Sequence, residues 1–273
     1  LNVPLCMGVI NVTPDSFSDG GGFSKNTTNL FEVDISKVLH RVESYVEDGV
    51  SIIDIGGEST RPGATSVASD IELHRTIPVI EALKKNLDIP LSIDTSSPIV
   101  MAEAISAGVD IINDVRALSA PGAIDVALNS SVAVCLMHMK GEPRTMQKTP
   151  QYSNVVSEVT EFLRERIEAC KRVGDVENRL LIDPGFGFGK TVNHNYQLLK
   201  SLSSFQDLGL PLLVGISRKS MIGAVVNRPA KERIYGTIAA TTLAISNGAS
   251  VIRTHDVAAT MDAIRVHCTY RSV

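Results

Sequence analysis

Short runs of aliphatic and β-branched residues alternate along the chain with longer segments whose apolar positions recur every three or four residues. The short runs are typical of strands buried on both faces, and the longer segments are typical of amphipathic helices that cover such strands. The strand-like runs begin at Leu5, Ser51, Pro90, Val109, Val132, Arg179, Pro211 and Ala249. The pattern therefore predicts eight successive strand-then-helix units.

Three of the helical segments have a clear pattern. In residues 33–49 the apolar positions are Val38, Leu39, Val42, Tyr45 and Val46. Residues 157–174 repeat this spacing. Residues 231–248 are apolar on nearly every side, which predicts an almost wholly buried helix that stops at Gly248.

Eight such units with continuously apolar strands favour an α/β fold, a parallel sheet closed as a single (β/α)8 TIM barrel. An open doubly wound sheet is the alternative, although most such sheets carry fewer evenly spaced units. No shift of composition marks a boundary, so residues 1–273 are predicted to form one domain. Because the first strand follows Leu1 so closely, we expect a short N-terminal piece ahead of it.

The overall charge excludes some classes of partner. The 26 basic and 30 acidic residues give a net charge of −4, which argues against a nucleic-acid or membrane-surface partner. No apolar run approaches the roughly 18 residues of a membrane span. Four cysteines are scattered without a CxxC pair, which favours a reducing cytoplasm and structural thiols.

A TIM barrel places its chemistry where the strands end. Polar residues gather at these predicted ends, whereas the strand starts are bland. The residues are Asn11, Asp54, Glu58, Asp94, Asn113, His138, Asp183, Ser217, Lys219, Arg253, His255 and Asp256. The one-sided polarity predicts a functional site at the carboxyl end of the barrel.

Asp94, Asn113 and Asp183 end three strands at matching depth. A carboxylate there needs a partner, and a flat ring with adjacent N–H donors, such as the edge of a pterin or guanine, would provide one. The alternative is that these residues cap the following helices. Asp54 lies within its strand, and we interpret it as structural.

Basic and hydroxyl residues follow other strands, and together they could bind an anion. The set comprises Thr60 and Arg61 after the second strand, Arg218, Lys219 and Ser220 after the seventh, and Arg253 and His255 after the eighth. Arg253 and His255 are two apart, so they point to the same side of an extended chain. One alternative is a salt-bridge network that neutralises the aspartates. Another is a Schiff-base role for Lys219, as in barrel aldolases.

The run "PGFGFGKT" nearly spells a phosphate-binding Walker loop, but Pro184 replaces its first glycine. We interpret it as a glycine loop that brings backbone close to a flat ligand near Gly187 and Phe188. His138 and His255 lack the spacing of zinc ligands.

Eight strings together resemble the dihydropteroate synthase family from Cys6 to beyond Asp256. They are "MGVINVTPDSFSDGG", "IDIGGESTRPGA", "IDT", "IND", "CLMHMKGEPRTMQ", "LIDPGFGFGK", "GISRKSMIG" and "IRTHDV". The resemblance implies condensation of 6-hydroxymethyl-7,8-dihydropterin diphosphate with p-aminobenzoate, a step of folate synthesis. It further implies Mg2+, a homodimer formed through the outer helices, and inhibition by sulfonamides.

The resemblance also implies roles for individual residues. The pterin would be held by Asp94, Asn113, Met137, Asp183, Phe188, Lys219 and Arg253, and Lys219, Arg253 and Asp94 would be catalytic. The diphosphate would be held by Asn11, Thr60, Arg61, Arg253 and His255, with Asn11 as the metal contact. The p-aminobenzoate position would be bordered by Phe17, Arg61, Pro62, Lys219 and Ser220.

The segments "NVTPDSFSDGGG" and "ESTRPGA" are hypothesised to fold over the site once diphosphate is bound. Two other functions remain open at this point. One is a pterin methyltransferase on the same barrel, and the other is a pterin-binding module without turnover.

Overall fold

The computed structural model describes residues 3–14, 32–59, 67–174, 176 and 178–273. Its strands are β1 Leu5–Asn11, β2 Ile52–Gly56, β3 Leu91–Asp94, β4 Ile111–Asp114, β5 Ala133–Met137, β6 Leu180–Asp183, β7 Leu213–Val214 and β8 Val251–Thr254. Its helices are α1 Ile35–Asp48, α2 Ser69–Asn86, α3 Pro98–Ser106, α4 Ala123–Leu128, α5 Val155–Lys171, α6 Val192–Lys200, α7 Ser220–Val226, α8 Ile234–Ser246 and α9 Val257–Ser272. Leu202–Leu208 and Ala230–Glu232 form 3-10 helices. All eight predicted strands are confirmed.

The strands form one parallel sheet in the order β6-β5-β4-β3-β2-β1-β8-β7. Its two edges meet through a parallel bridge between Ile182 and Leu212, where the Ile182 N–H donates to the Pro211 carbonyl at 3.0 Å. The bridge brings the edge strands together, so the sheet closes into a barrel. The (β/α)8 prediction is confirmed, and the open doubly wound alternative is wrong.

The helices shield the outside of the sheet with their apolar faces. In α1 the side chain of Asp34 caps the first turn by accepting from the Lys37 N–H at 3.3 Å, and Val38, Val42 and Tyr45 are buried. In α5 every third or fourth residue is buried, from Val155 to Cys170. These side chains pack against the outward-facing strand residues in the main hydrophobic core.

One helix differs from its prediction. α8 was expected to be almost wholly buried, but Tyr235 is 87% exposed and Leu243 is 55% exposed. These residues lie eight apart, so they share one face of the helix together with the exposed Ala239. α8 therefore has apolar side chains on two faces. Only the face with Thr237, Ala240, Thr241 and Ala244 packs against the core.

The inside of the barrel has its own apolar cluster, built from alternate strand residues: Met7, Ile52, Ile111, Cys135, Leu213 and Val251. Side chains two apart on a strand point to the same face. Two residues beyond members of this cluster lie Asp54, Asn113, Met137 and Arg253. The interior is therefore apolar at the bottom and polar towards the carboxyl ends, which is where the predicted site lies.

In the described part of the chain, no helix is both long enough and apolar enough to cross a membrane.

Candidate active site

Arg253 is the hub of the barrel mouth. From the end of β8 its Nε donates to Asp54 Oδ2 at 2.6 Å, and its Nη2 donates to Asp94 Oδ2 at 2.8 Å. Burial by itself disfavours the guanidinium charge, but Asp54 and Asp94 outweigh it and raise the pKa of Arg253. The salt-bridge alternative thus holds for Arg253. Asp54, interpreted as structural, is fully buried and anchors this hub.

The two carboxylate oxygens of Asp94 differ in their hydrogen bonding. It is 7% exposed, and its Oδ1 is buried with no hydrogen-bond partner among the described residues. Burial raises the pKa of Asp94 to about 7; the charge of Asp54 adds to the rise, whereas Arg253 opposes it. A single arginine does not neutralise two carboxylates. An N–H donor delivered by a ligand would satisfy Oδ1 and favour the ionised form.

Asn113 lies beside Asp94 in the β3–β4 register, and its Nδ2 donates to Asp54 Oδ2 at 3.3 Å. The helix-cap alternative is wrong for both Asp94 and Asn113. Ser97 caps α3 through its side chain, and the cap position of α4 is Gly122. Both side chains instead point into the barrel mouth, as strand alternation requires.

Asp183 ends β6 and pairs in register with Met137 of β5. Its Oδ1 accepts from the Gly185 N–H at 2.7 Å, so it fixes a turn in a loop and caps no helix. Burial raises the pKa of Asp183, and the positive charge of Lys219 opposes the rise. Met137 is 3% exposed and supplies an apolar surface next to this carboxylate.

Lys219 contacts the glycine loop. Its Nζ donates to the Phe186 carbonyl at 2.5 Å and lies 4.7 Å from the centre of the Phe188 ring. Burial lowers the pKa of Lys219 to about 8, and Asp183 acts in the opposite direction. The ammonium is therefore still the main form at pH 7 and can donate hydrogen bonds.

Arg218 differs from our interpretation of it as part of an anion site. Its Nε and Nη2 form a bidentate ion pair with Asp256 at 2.9 and 2.5 Å. Its backbone has φ +56°, a left-handed conformation unusual for a side-chain-bearing residue. The adjacent Ser217 hydroxyl lies 3.1 Å from His255 Nδ1. Two consecutive contacts thus fasten the segment after β7 to the segment after β8, next to Lys219.

Ser220 is exposed as the first residue of α7, directly after Lys219. His255 is half-buried at the end of β8, where its carbonyl accepts from the Tyr45 hydroxyl at 3.2 Å. Phe17, Thr60, Arg61 and Pro62 lie outside the described residues. The proposed covering segments also lie mostly there.

Asn11 ends β1 at the barrel mouth. Its Oδ1 approaches Gly56, and Asp94 lies on the other side of that glycine. No group of three or more His, Cys, Asp or Glu among the described residues is arranged to hold a metal. Mg2+ is often bound through one or two protein oxygens together with substrate phosphates and water, and the single amide oxygen of Asn11 fits that mode.

Sequence reasoning missed the residues that hold the glycine loop. Lys190 is 2% exposed, and its Nζ lies 2.9 Å from His138 Nδ1 and donates to the Gly185 carbonyl at 2.8 Å. Asn195 of α6 accepts from the Gly187 N–H at 2.7 Å. Lys190 lies in the Walker-like run, which we interpreted as a loop that binds no phosphate. Its Nζ faces the protein, which agrees with that interpretation.

A cleft of about 930 Å³ lies beside α5 and the start of α6. Lys140, Tyr152 and His194 line it, together with nine other residues, but none of the strand-end residues above does. Lys140 already bonds the Gln151 carbonyl and Glu158. The strand-end residues therefore gather at the barrel mouth and not in this cleft.

Comparison with known proteins shows which family this chain resembles. The family profile described as "Pterin binding enzyme" matches residues 7–255. The dihydropteroate synthase of Haemophilus influenzae is 50% identical over 266 residues, which cover 97% of this chain and 94% of that protein. The Yersinia pestis dihydropteroate synthase with a sulfonamide drug complex has a TM-score of 0.92 and 44% identity, covering 99% and 95% of the two chains. The Burkholderia cenocepacia enzyme complexed with 7,8-dihydropteroate has a TM-score of 0.87 and 43% identity, covering 98% and 92%.

Proposed function

The chain belongs to the dihydropteroate synthase family, and from that premise we propose that the cluster at its barrel mouth is the active site. The reaction joins 6-hydroxymethyl-7,8-dihydropterin diphosphate to p-aminobenzoate. The bond between the pterin methylene carbon and the diphosphate oxygen breaks, a carbon–nitrogen bond forms to the arylamine, and the arylamine releases one proton. The products are 7,8-dihydropteroate and diphosphate.

The observation that carries the site assignment is the open oxygen of Asp94. A buried carboxylate oxygen without a partner is costly, and an N–H donor of a pterin edge would satisfy it. Asn113 lies beside it in register and Asp183 ends the barrel two strands further on, so the three can face different edges of one flat ring. Met137 and Phe188 supply apolar surface for the ring faces.

Lys219 and Arg253 are the cations of the site. We assign Lys219 to the oxo side of the pterin, because its ammonium lies over the glycine loop and is attracted to Asp183. Arg253 lies between the carboxylates, where its guanidinium can stack on the ring and face the leaving diphosphate. On this assignment Asp94, Lys219 and Arg253 are the catalytic residues.

The reaction does not need a strong general base. An arylamine is largely unprotonated at neutral pH, so the harder step is the departure of diphosphate from the methylene carbon. Fixed cations that face the leaving group lower that barrier, and carboxylates around the electron-rich pterin stabilise positive charge on the carbon. Arg253 and His255 would face the diphosphate together with Thr60 and Arg61. Phe17, Arg61, Pro62, Lys219 and Ser220 would border p-aminobenzoate.

Inhibition provides a test of this function. A sulfonamide should raise the apparent KM for p-aminobenzoate without lowering kcat, because the two molecules share one position. Formation of 7,8-dihydropteroate is the readout. Inhibition that p-aminobenzoate does not relieve would contradict a shared position.

We propose Mg2+ as the cofactor, held by Asn11 and by the substrate's own diphosphate. When bound, it would neutralise charge on the departing diphosphate. The test is the affinity for diphosphate by calorimetry, with and without Mg2+. Asn11→Ala should remove most of the Mg2+-dependent gain, and an unchanged gain would reject Asn11 as the metal contact.

We further propose that the enzyme is a homodimer through the outer helices. Support comes from exposed apolar side chains on adjacent helices, Tyr235 and Leu243 on α8 and Val266 and Tyr270 on α9. Exposed apolar side chains that lie on neighbouring helices suit an interface. Light scattering should give a dimer mass for the parent and a monomer mass for Leu243→Glu, and a parent monomer at micromolar concentration would reject the dimer.

We place the enzyme in the cytoplasm, with small molecules rather than nucleic acid or membrane as its partners. All four cysteines lie within the described ranges and are unpaired, and Cys6, Cys135 and Cys170 are buried. Burial raises the pKa of the Cys6 thiol to about 12, so this thiol is unreactive. Unpaired buried thiols are usual for proteins of a reducing compartment.

A further inference from the structure

The glycine loop between β6 and α6, residues 184–190, is held by side chains from three directions. Asn195 accepts from the Gly187 N–H, and the Gln147 side chain donates to the Gly187 carbonyl. The Tyr152 hydroxyl donates to the Gly189 carbonyl at 2.9 Å. A loop whose backbone groups are bonded in this way has little freedom to rearrange.

Lys190 binds the loop from its buried side. Its Nζ lies 2.8 Å from the Gly185 carbonyl, 3.0 Å from the Phe188 carbonyl and 2.9 Å from His138 Nδ1. It also lies 3.4 Å from the His138 carbonyl, so four polar groups surround the Lys190 amine. Burial lowers the pKa of Lys190 well below its ordinary value. Burial, together with the positive charge that Lys190 carries when protonated, lowers the pKa of His138 to about 2, so the imidazole is neutral.

The loop also packs directly against the end of β5. A Cβ added at Gly185 would clash with the His138 carbonyl oxygen, and one added at Gly189 would clash with the Lys140 carbonyl oxygen. Both glycines have positive φ, +70° and +64°. The loop therefore has no space to shift towards β5, and Lys190 binds it on that side.

Lys219 lies on the opposite side of this same loop. Its Nζ donates to the Phe186 carbonyl at 2.5 Å and lies 4.7 Å from the Phe188 ring centre. The Phe188 carbonyl is one of the groups that Lys190 holds. The surface on which Lys219 rests is thus fixed from behind by Lys190.

We propose that Lys190 is a positioning residue for the reaction: it holds the glycine loop so that the Phe186 carbonyl and the Phe188 ring orient the Lys219 ammonium towards the substrates. The inference rests on the proposed function of Lys219. Lys190 touches neither substrate, and its contribution passes through Lys219.

A double-mutant cycle tests this coupling. Lys190→Met removes the amine and all its hydrogen bonds and keeps the side-chain length, and we expect kcat/KM to fall roughly 10- to 100-fold. In the Lys219→Met background the same change should cost less than about 2-fold, because the group that Lys190 positions is already absent. Lys200→Met, an exposed lysine at the end of α6, is the matched control and should leave kcat/KM unchanged.

Because a buried lysine also supports folding, Gln147→Leu provides a second variant. Gln147 is half-buried and holds the Gly187 carbonyl from outside the barrel, so its loss should give a smaller effect with the same dependence on Lys219. Thermal unfolding of each variant verifies that it is folded at the assay temperature. If Lys190→Met is unfolded there, the Gln147→Leu cycle decides.

Each outcome has one meaning. Non-additive losses support the positioning role. Losses that multiply in the double mutant, or no loss in the folded single mutant, overturn that role and leave the proposed function intact. Full activity of Lys219→Met would reject the assigned role of Lys219 in the proposed function, and with it the positioning role.

Discussion

Arg253 Nη2 donates to Asp94 Oδ2 at 2.8 Å, so two residues assigned to the same substrate are bonded to each other. Asp54 holds the guanidinium from the other side at 2.6 Å and would keep Arg253 in the barrel mouth if Asp94 turned to a ligand. The ion pair thus preorganises the cation while leaving Asp94 Oδ1 open for an N–H donor. Asp94 is consequently the residue at which substrate binding is most directly tested.

Asp94→Asn should weaken binding of the pterin diphosphate at least about 30-fold. The amide replaces a charged acceptor, and a hydrogen bond to a charged group contributes about 2 kcal/mol. Asp88→Asn is the matched control, because Asp88 is exposed just before the amino end of the same strand. Calorimetric titration measures both, and unchanged affinity in Asp94→Asn would remove Asp94 from the pterin site.

Binding of the pterin should release protons near neutral pH. Because the pKa of Asp94 is raised to about 7, roughly half of its carboxyls are protonated at pH 7, whereas a carboxylate that accepts ligand N–H bonds is ionised. Affinity should therefore fall as pH falls below about 7, by up to about tenfold per unit. Titrations in two buffers of different ionisation enthalpy count the protons. Uptake of protons instead of release would contradict the raised pKa.

The Arg218–Asp256 pair should support both stability and activity. Its side chains are only 21% and 8% exposed, so Asp256→Ala removes a bidentate carboxylate from a largely buried guanidinium, at a cost of about 2–4 kcal/mol. We also expect kcat/KM to fall roughly tenfold, because Lys219 follows Arg218 directly. Asp262→Ala, which breaks an exposed pair with Arg265 on the same helix, should cost less than about 0.5 kcal/mol. Equal losses in the two variants, measured by urea unfolding, would contradict the difference in burial.

Glu72 should make stability fall as pH rises. It is 2% exposed, its Oε1 has no partner among the described residues, and burial raises the pKa of Glu72 from 4.5 to about 7. The folded state thus holds a proton that the unfolded state loses, so the destabilisation grows from about pH 4.5 to 7 and is complete above pH 7. Glu72→Gln should gain about 2–3 kcal/mol over the parent at pH 8 and little at pH 4.5. The exposed Glu103→Gln is the control, and a gain independent of pH would reject the buried charge as the cause.

The hydrophobic pattern was sufficient to predict the barrel and the end of it at which the polar strand-end residues meet. Runs of buried residues identify strands, and alternation identifies side chains that share a face, so Asp94, Asn113 and Arg253 were predicted to meet. Both rules depend only on near neighbours in the sequence. They succeeded because a parallel barrel places equivalent strand positions at equal depth.

The ion-pair partners of the charged residues could not be predicted from the sequence. Arg253 pairs with Asp54 and Asp94, which precede it by 199 and 159 residues, and alternation does not say which acid each nitrogen reaches. Arg218 follows the same strand as Lys219, but its backbone is left-handed and its side chain pairs with Asp256. The exposed face of α8 was missed for a related reason. Composition reports that a surface is apolar and does not report what covers it.

Diphosphate release, measured with each substrate omitted in turn, tests the central claim most directly. The barrel-mouth site predicts release only when both the pterin diphosphate and p-aminobenzoate are present, with one 7,8-dihydropteroate formed per diphosphate. Lys219→Met should lose most of this activity, whereas Lys200→Met should keep it. Release from the pterin diphosphate alone at the full rate, or full activity in Lys219→Met, would contradict the account.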